Sequence, residues 1–106
     1  MRASLTAAAA LFALAATGAG AQTPEVQRGF TFVRTHCAQC HAIDKVSPSP
    51  LRAAPPFRAL HQRYPIESLE EAFAEGIVTG HPSMPEFRLD IGQVRDVIAF
   101  LKSLEK

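Results

Sequence analysis

The sequence predicts a small all-α protein of three to four helices. Two stretches, near residues 24–37 and 91–104, place apolar side chains at helical spacing. No run alternates apolar and polar residues as a half-buried strand does. Between these stretches lie long proline-bearing segments and one short helical pattern, so the helices are joined by loops rather than by strands. A chain of 106 residues is one domain at most.

The first twenty-one residues stand apart from that domain. Arg2 gives a positive start, residues 5–16 are an alanine-rich apolar run, and Ala19-Gly20-Ala21 is a small-residue cleavage site. This is the pattern of a secretory leader, and the apolar run is shorter than the roughly 20 residues of a spanning helix. The expectation is cleavage after Ala21, export to the periplasm, and a mature domain over residues 22–106. The alternative is an uncleaved anchor.

The first helix is expected to start at Thr23, with Thr23 as cap, Pro24 at the first helical position and Glu25 in the first turn. Val26, Phe30, Val33 and Cys37 share one stripe. Gly29 lies inside this helix, where glycine costs about 1 kcal/mol against alanine. A glycine there suggests that another backbone crosses closely; the alternative is a merely tolerated glycine.

Cys37-Ala38-Gln39-Cys40-His41 follows. C-x-x-C-H is the attachment motif of c-type haem. Two thiols three positions apart can add to the two vinyl groups on one edge of a porphyrin. His41, directly after them, can place a ring nitrogen on the iron. A disulfide between the two cysteines would close a tiny loop and restrain little chain entropy. The pair could otherwise serve a thiol-disulfide enzyme or a metal chaperone, but the βαβ pattern that surrounds a thioredoxin-like motif is missing.

Residues 43–57 contain Pro48, Pro50, Pro55 and Pro56 and no helical period, so they form a loop. Fifteen such residues in a small domain are usually functional. Residues 58–64 suggest a short turn of helix. Ser68-Leu69-Glu70-Glu71 is a capping box opening a second helix, with Leu69, Ala72 and Phe73 inward and Gly76 at its end. Residues 77–89 form the second long loop, marked by Gly80, Pro82 and Pro85. It carries Met84, the single methionine after the initiator. A thioether opposite a histidine is the Met/His pair that raises a haem's reduction potential; the plainer alternative is a buried gap-filler. Asp90 with Gln93 signals another capped start. Ile91, Val94, Val97, Ile98, Leu101 and Leu104 then make one broad apolar stripe.

In Gly29, Cys37, Cys40, His41, Pro55, Met84 and the terminal amphipathic helix, in that order, the chain resembles the class I cytochromes c of bacteria. The resemblance covers nearly everything after the leader. It implies helices wrapped around one haem c, bound covalently through Cys37 and Cys40, with His41 and Met84 on the iron. It further implies that Gly29 meets an aromatic of the terminal helix, which would be Phe100. The carbonyl of Pro55 would accept the hydrogen bond of His41, and Phe57 would stand on the haem wall. The family more often has glycine before this proline, where Ala54 stands here. Arg63 lies where the family often has a propionate-binding arginine, a role Tyr64 could share; the alternative is a solvated arginine. His36, His61 and His81 read as surface or hydrogen-bonding residues, with His81 near enough in sequence to compete with Met84.

Without Arg2 the domain carries ten bases and ten acids, a balance that points to no nucleic-acid partner. The charge is uneven along the chain. Residues 45–63 hold four bases and no acid, and residues 64–87 hold five acids and no base. The expected function is a periplasmic electron carrier rather than an enzyme, since two bound ligands leave the iron no open position. Its partners would be redox proteins: a donor dehydrogenase or bc1-type complex, and an acceptor oxidase or reductase. It would act as a monomer or as the haem subunit of a larger dehydrogenase or oxidase complex. A five-coordinate gas-binding cytochrome is the rival reading.

Overall fold

The structure, a computed structural model, describes residues 22–77 and 83–106, together with residues 2–4, 6, 9 and 10. The proposed cleavage site, Gly80, His81 and Pro82 lie outside the described residues. The described residues form three α-helices: α1 (Pro24–His36), α2 (Leu69–Glu75) and α3 (Ile91–Ser103). Two 3-10 turns, Phe57–Gln62 and Ile66–Ser68, precede α2. No strand forms among the described residues beyond a single antiparallel bridge, Ile77 with Phe87. Among the described residues, no helix is long and apolar enough to cross a membrane.

The cap of α1 is the expected one: the Thr23 hydroxyl accepts from the Val26 amide at 3.3 Å, and Pro24 fills the first position. Helix α3 opens with a complete capping box, in which Asp90 Oδ1 accepts from Gln93 N and Gln93 Oε1 accepts from Asp90 N. The box expected at Ser68 does not form. Ser68 is the last residue of the 3-10 turn that follows Pro65 and has right-handed helical dihedrals. A capping side chain folds back onto the helix only from an extended backbone, and Ser68 makes no such bond. Gly76 ends α2 with φ +108°, a conformation that suits glycine.

α1 packs directly on α3, and the 3-10 turns and α2 pack against α3. Val33, Ile66 and Leu101 are the most completely buried large side chains, joined by Leu60, Leu69, Leu89, Val94, Val97, Ile98 and Phe100. Gly29 is buried against α3, where a Cβ would lie 2.7 Å from Phe100 Cβ and closer still to the Asp96 carbonyl. Arg28 forks onto Asp96 beside this contact, at 3.0 and 3.2 Å. Two members of the expected stripes are not core. Ile91, in the first turn of α3, is 74% exposed, and Phe30 is 37% exposed. Phe30 lies at the edge of the interface, its ring 5.7 Å from that of Phe100 and beneath Arg34.

Candidate functional site

The C-x-x-C-H segment hangs from the end of α1. Cys37 caps that helix with right-handed helical dihedrals, its amide bonded to Val33 O at 2.8 Å. The chain then makes one further turn: Cys40 N and His41 N both donate to Cys37 O, at 3.2 and 3.0 Å. Both cysteines are free thiols, and Cys37, Cys40 and His41 are all half-buried. Burial pushes the Cys37 thiol up to about 11. A thiol-disulfide enzyme needs the opposite, a thiol pulled down toward neutrality. Among the described residues, no three His, Cys, Asp or Glu side chains converge as ligands of a metal ion.

His41 is held by the proline loop. Its Nδ1 lies 2.8 Å from the carbonyl oxygen of Pro55. A carbonyl only accepts, so Nδ1 carries the proton, and Nε2 of the neutral ring keeps its lone pair. Phe57 packs on the same imidazole, ring centroids 4.7 Å apart. The loop is pinned by its own backbone: Leu51 N to Cys40 O, Ala54 N to Leu51 O and Phe57 N to Ala42 O, each 3.0 Å. Ser49 Oγ accepts from Ala42 N at 3.0 Å. Ala54 is buried at a negative φ, so the turn before Pro55 does not require glycine.

A second device in this loop follows from Asp44. Its carboxylate accepts from Val46 N, Ser47 N and Ser47 Oγ at 2.9, 2.6 and 2.6 Å. These bonds, led by the Ser47 hydroxyl, hold the acid down at about 2. Arg58 reaches back from the 3-10 turn and donates to Ser47 O at 2.7 Å and Asp44 O at 3.4 Å. Asp-x-x-Ser is a sequence signal for such a turn. Nothing local in the sequence marks Arg58 as its partner.

Met84 is half-buried in a bend of residues 83–84. Its segment is fastened to the rest of the fold just after it. Ile77 N donates to Phe87 O at 3.0 Å, and Leu89 N donates to Phe73 O at 2.9 Å. The Arg88 guanidinium gives two hydrogen bonds to the carbonyl of Glu75, the last residue of α2, at 3.3 and 3.1 Å. The Phe87 ring lies 6.0 Å from that of His36, which itself packs on Phe32 at 4.5 Å. The Met84 segment is thus tied to the end of α1 where the cysteine motif begins.

Of the seven predicted site residues, His41 meets both Pro55 and Phe57, and Cys37 and Cys40 share the turn that leads into His41. Met84 lies on a separate segment. Arg63 is exposed at the end of the first 3-10 turn, and its side chain makes no hydrogen bond with the other six. Tyr64 and His61 are also exposed.

These residues fit a covalently held haem. Two free thiols stand on one turn, one imidazole has its Nδ1 committed elsewhere, and a thioether is half-buried. Phe32, Phe57, Phe73 and Phe87 pack on the core yet stay only partly covered, which leaves apolar surface for a large flat group. The family described as "Cytochrome c" matches residues 26–105. No curated protein and no solved structure matches the chain.

Proposed function

The chain belongs to the cytochrome c family, and from that premise we propose that it is a periplasmic single-electron carrier whose haem iron is held between His41 and Met84. Haem c supplies one-electron exchange at its iron. Cys37 and Cys40 would hold it by thioether bonds from the turn after α1. The observation that carries the proposal is the His41–Pro55 hydrogen bond. It fixes the tautomer that leaves Nε2 unprotonated, with its lone pair free for the iron, and restrains the ring, as the outer partners of metal-bound histidines do.

Met84 completes the proposed ligand pair. Its thioether favours the reduced iron and raises the potential. With His41 and Met84 both bound, the iron would have no open position for oxygen or an organic substrate. The leader of residues 1–21 would send the chain to the periplasm, where its partners would be a donor dehydrogenase or bc1-type complex and an acceptor oxidase or reductase.

Absorption spectroscopy tests the ligand pair. The ferric protein at neutral pH should show the weak near-infrared sulfur-to-iron band, and Met84→Ala should lose it, lower the potential and let the reduced iron bind carbon monoxide. A parent protein that already binds carbon monoxide would replace this proposal with a five-coordinate gas-binding role.

A further inference from the structure

We infer that Arg88 is a positioning residue for the iron's distal side: its fork onto the Glu75 carbonyl latches the Met84 segment to the end of α2. This rests on the proposed role of Met84 as ligand. The geometry behind it involves several independent contacts at one neck. Ile77 and Phe87 are joined by the only antiparallel bridge among the described residues. Gly76, at φ +108°, turns the chain there, and a Cβ on it would collide with the Glu86 carboxylate. Arg88, next to Phe87, then donates from Nε and a terminal nitrogen to the same carbonyl.

The chemistry of that carbonyl explains the choice of residue. The last carbonyls of a helix have no partner inside it, and the helix dipole makes its C-terminus negative. An arginine satisfies both needs with two donors from one rigid plane. A lysine would supply the charge with one point donor and without the fork. α2 has no basic residue in its last turn, and Arg88 brings a cation to this end. Met84 is four residues before Arg88, too near for its position to be independent of the latch. Among the described residues the Arg88 guanidinium bonds to the Glu75 carbonyl and not to either cysteine or His41, so it acts on the iron through where Met84 is held.

The test uses the ferric holoprotein and imidazole as a competing ligand. Imidazole binds only when Met84 leaves, so its apparent affinity measures the fraction of protein with Met84 released. Arg88→Ala should bind imidazole about tenfold more tightly than the parent, with Arg88→Lys in between, as expected for loss of a charged hydrogen bond. Lys102→Met, which removes the exposed ion pair between the end of α3 and Glu67 of the second 3-10 turn, should leave the affinity at the parent value. Equal imidazole affinity in parent and Arg88→Ala, or an equal gain in Lys102→Met, overturns the latch. If Arg88→Ala yields no holoprotein, Arg88→Lys decides alone, and an unchanged affinity counts against the latch. The parent's near-infrared band separates the two levels: without it the Met84 assignment itself has failed, and with it any negative result belongs to Arg88.

Discussion

Gly29 and Phe100 meet backbone to side chain at the contact of α1 with α3, where a Cβ on Gly29 would stand 2.7 Å from Phe100 Cβ and nearer still to the Asp96 carbonyl. Real Cβ atoms do not approach this closely, and the nearest obstacle is backbone rather than the end of a flexible side chain. Two effects of Gly29→Ala therefore oppose each other. Helix propensity favours alanine by about 1 kcal/mol. Overpacking costs about 1–3 kcal/mol, occasionally more, and a backbone carbonyl has little freedom to yield. The clash should win. Gly29→Ala should lower the denaturant midpoint of the holoprotein and Gly29→Val should lower it further. A midpoint at or above the parent's would show that the helices can part without cost.

Covalent attachment gives the second prediction. Cys37 and Cys40 are free, half-buried and one turn apart. Haem in the parent should migrate with the polypeptide after denaturation. In the double variant Cys37→Ala, Cys40→Ala it should be extracted by acid acetone. The apo chain of that variant should lose its helical circular dichroism as well, because a domain of this size has a small core of its own. Haem still migrating with the double variant would mean that the attachment lies elsewhere.

Much of this fold could be read in the sequence because its strongest signals are local. The caps at Thr23 and Asp90 need only a polar residue at the right offset from a helix, and both form. Gly29 was legible because glycine inside a helix is costly and so implies a reason. Ser68 shows the limit of the same rule. Its spacing to Glu71 is correct for a capping box, but Pro65 starts a 3-10 turn that carries Ser68 into helical dihedrals. Ile91 and Phe30 fit their stripes by period, but whether the partner element covers them depends on where each helix begins and how it crosses. Arg58 and Arg88 were invisible for a different reason. Each bonds to backbone carbonyls eleven or more residues away, and a carbonyl leaves no residue-specific mark in a sequence.

Export gives a third prediction. If residues 1–21 are the proposed leader, its Ala19-Gly20-Ala21 site should be cut, and protein recovered from the periplasmic fraction should begin at Gln22. Replacing Ala21 with a bulky residue should leave the leader attached and the protein membrane-associated. Haem-loaded protein found only in the cytoplasm, with Met1 intact, would contradict export.

Asp44 sets the last prediction. Three hydrogen bonds from Val46 and Ser47 hold its folded-state acidity at about 2, below the unfolded value of about 3.9. The folded state therefore favours the carboxylate, and the unfolded chain takes up the proton first as pH falls. The sign follows from linkage. The contribution of Asp44 is fully present above about pH 4, declines as pH falls toward 2, and is gone below it. Asp44→Asn can still accept through its amide oxygen but loses the charge, so it should be less stable than the parent at pH 6. That difference should shrink through the window between about pH 4 and 2. The carboxylate is at the surface and open to solvent, so the effect should also weaken with added salt. Nuclear magnetic resonance titration of the Asp44 carboxyl carbon gives the direct check. A midpoint near that of a free aspartate would show that the turn does not hold in solution, and the anchoring of Arg58 on the Ser47 carbonyl would then lose its support.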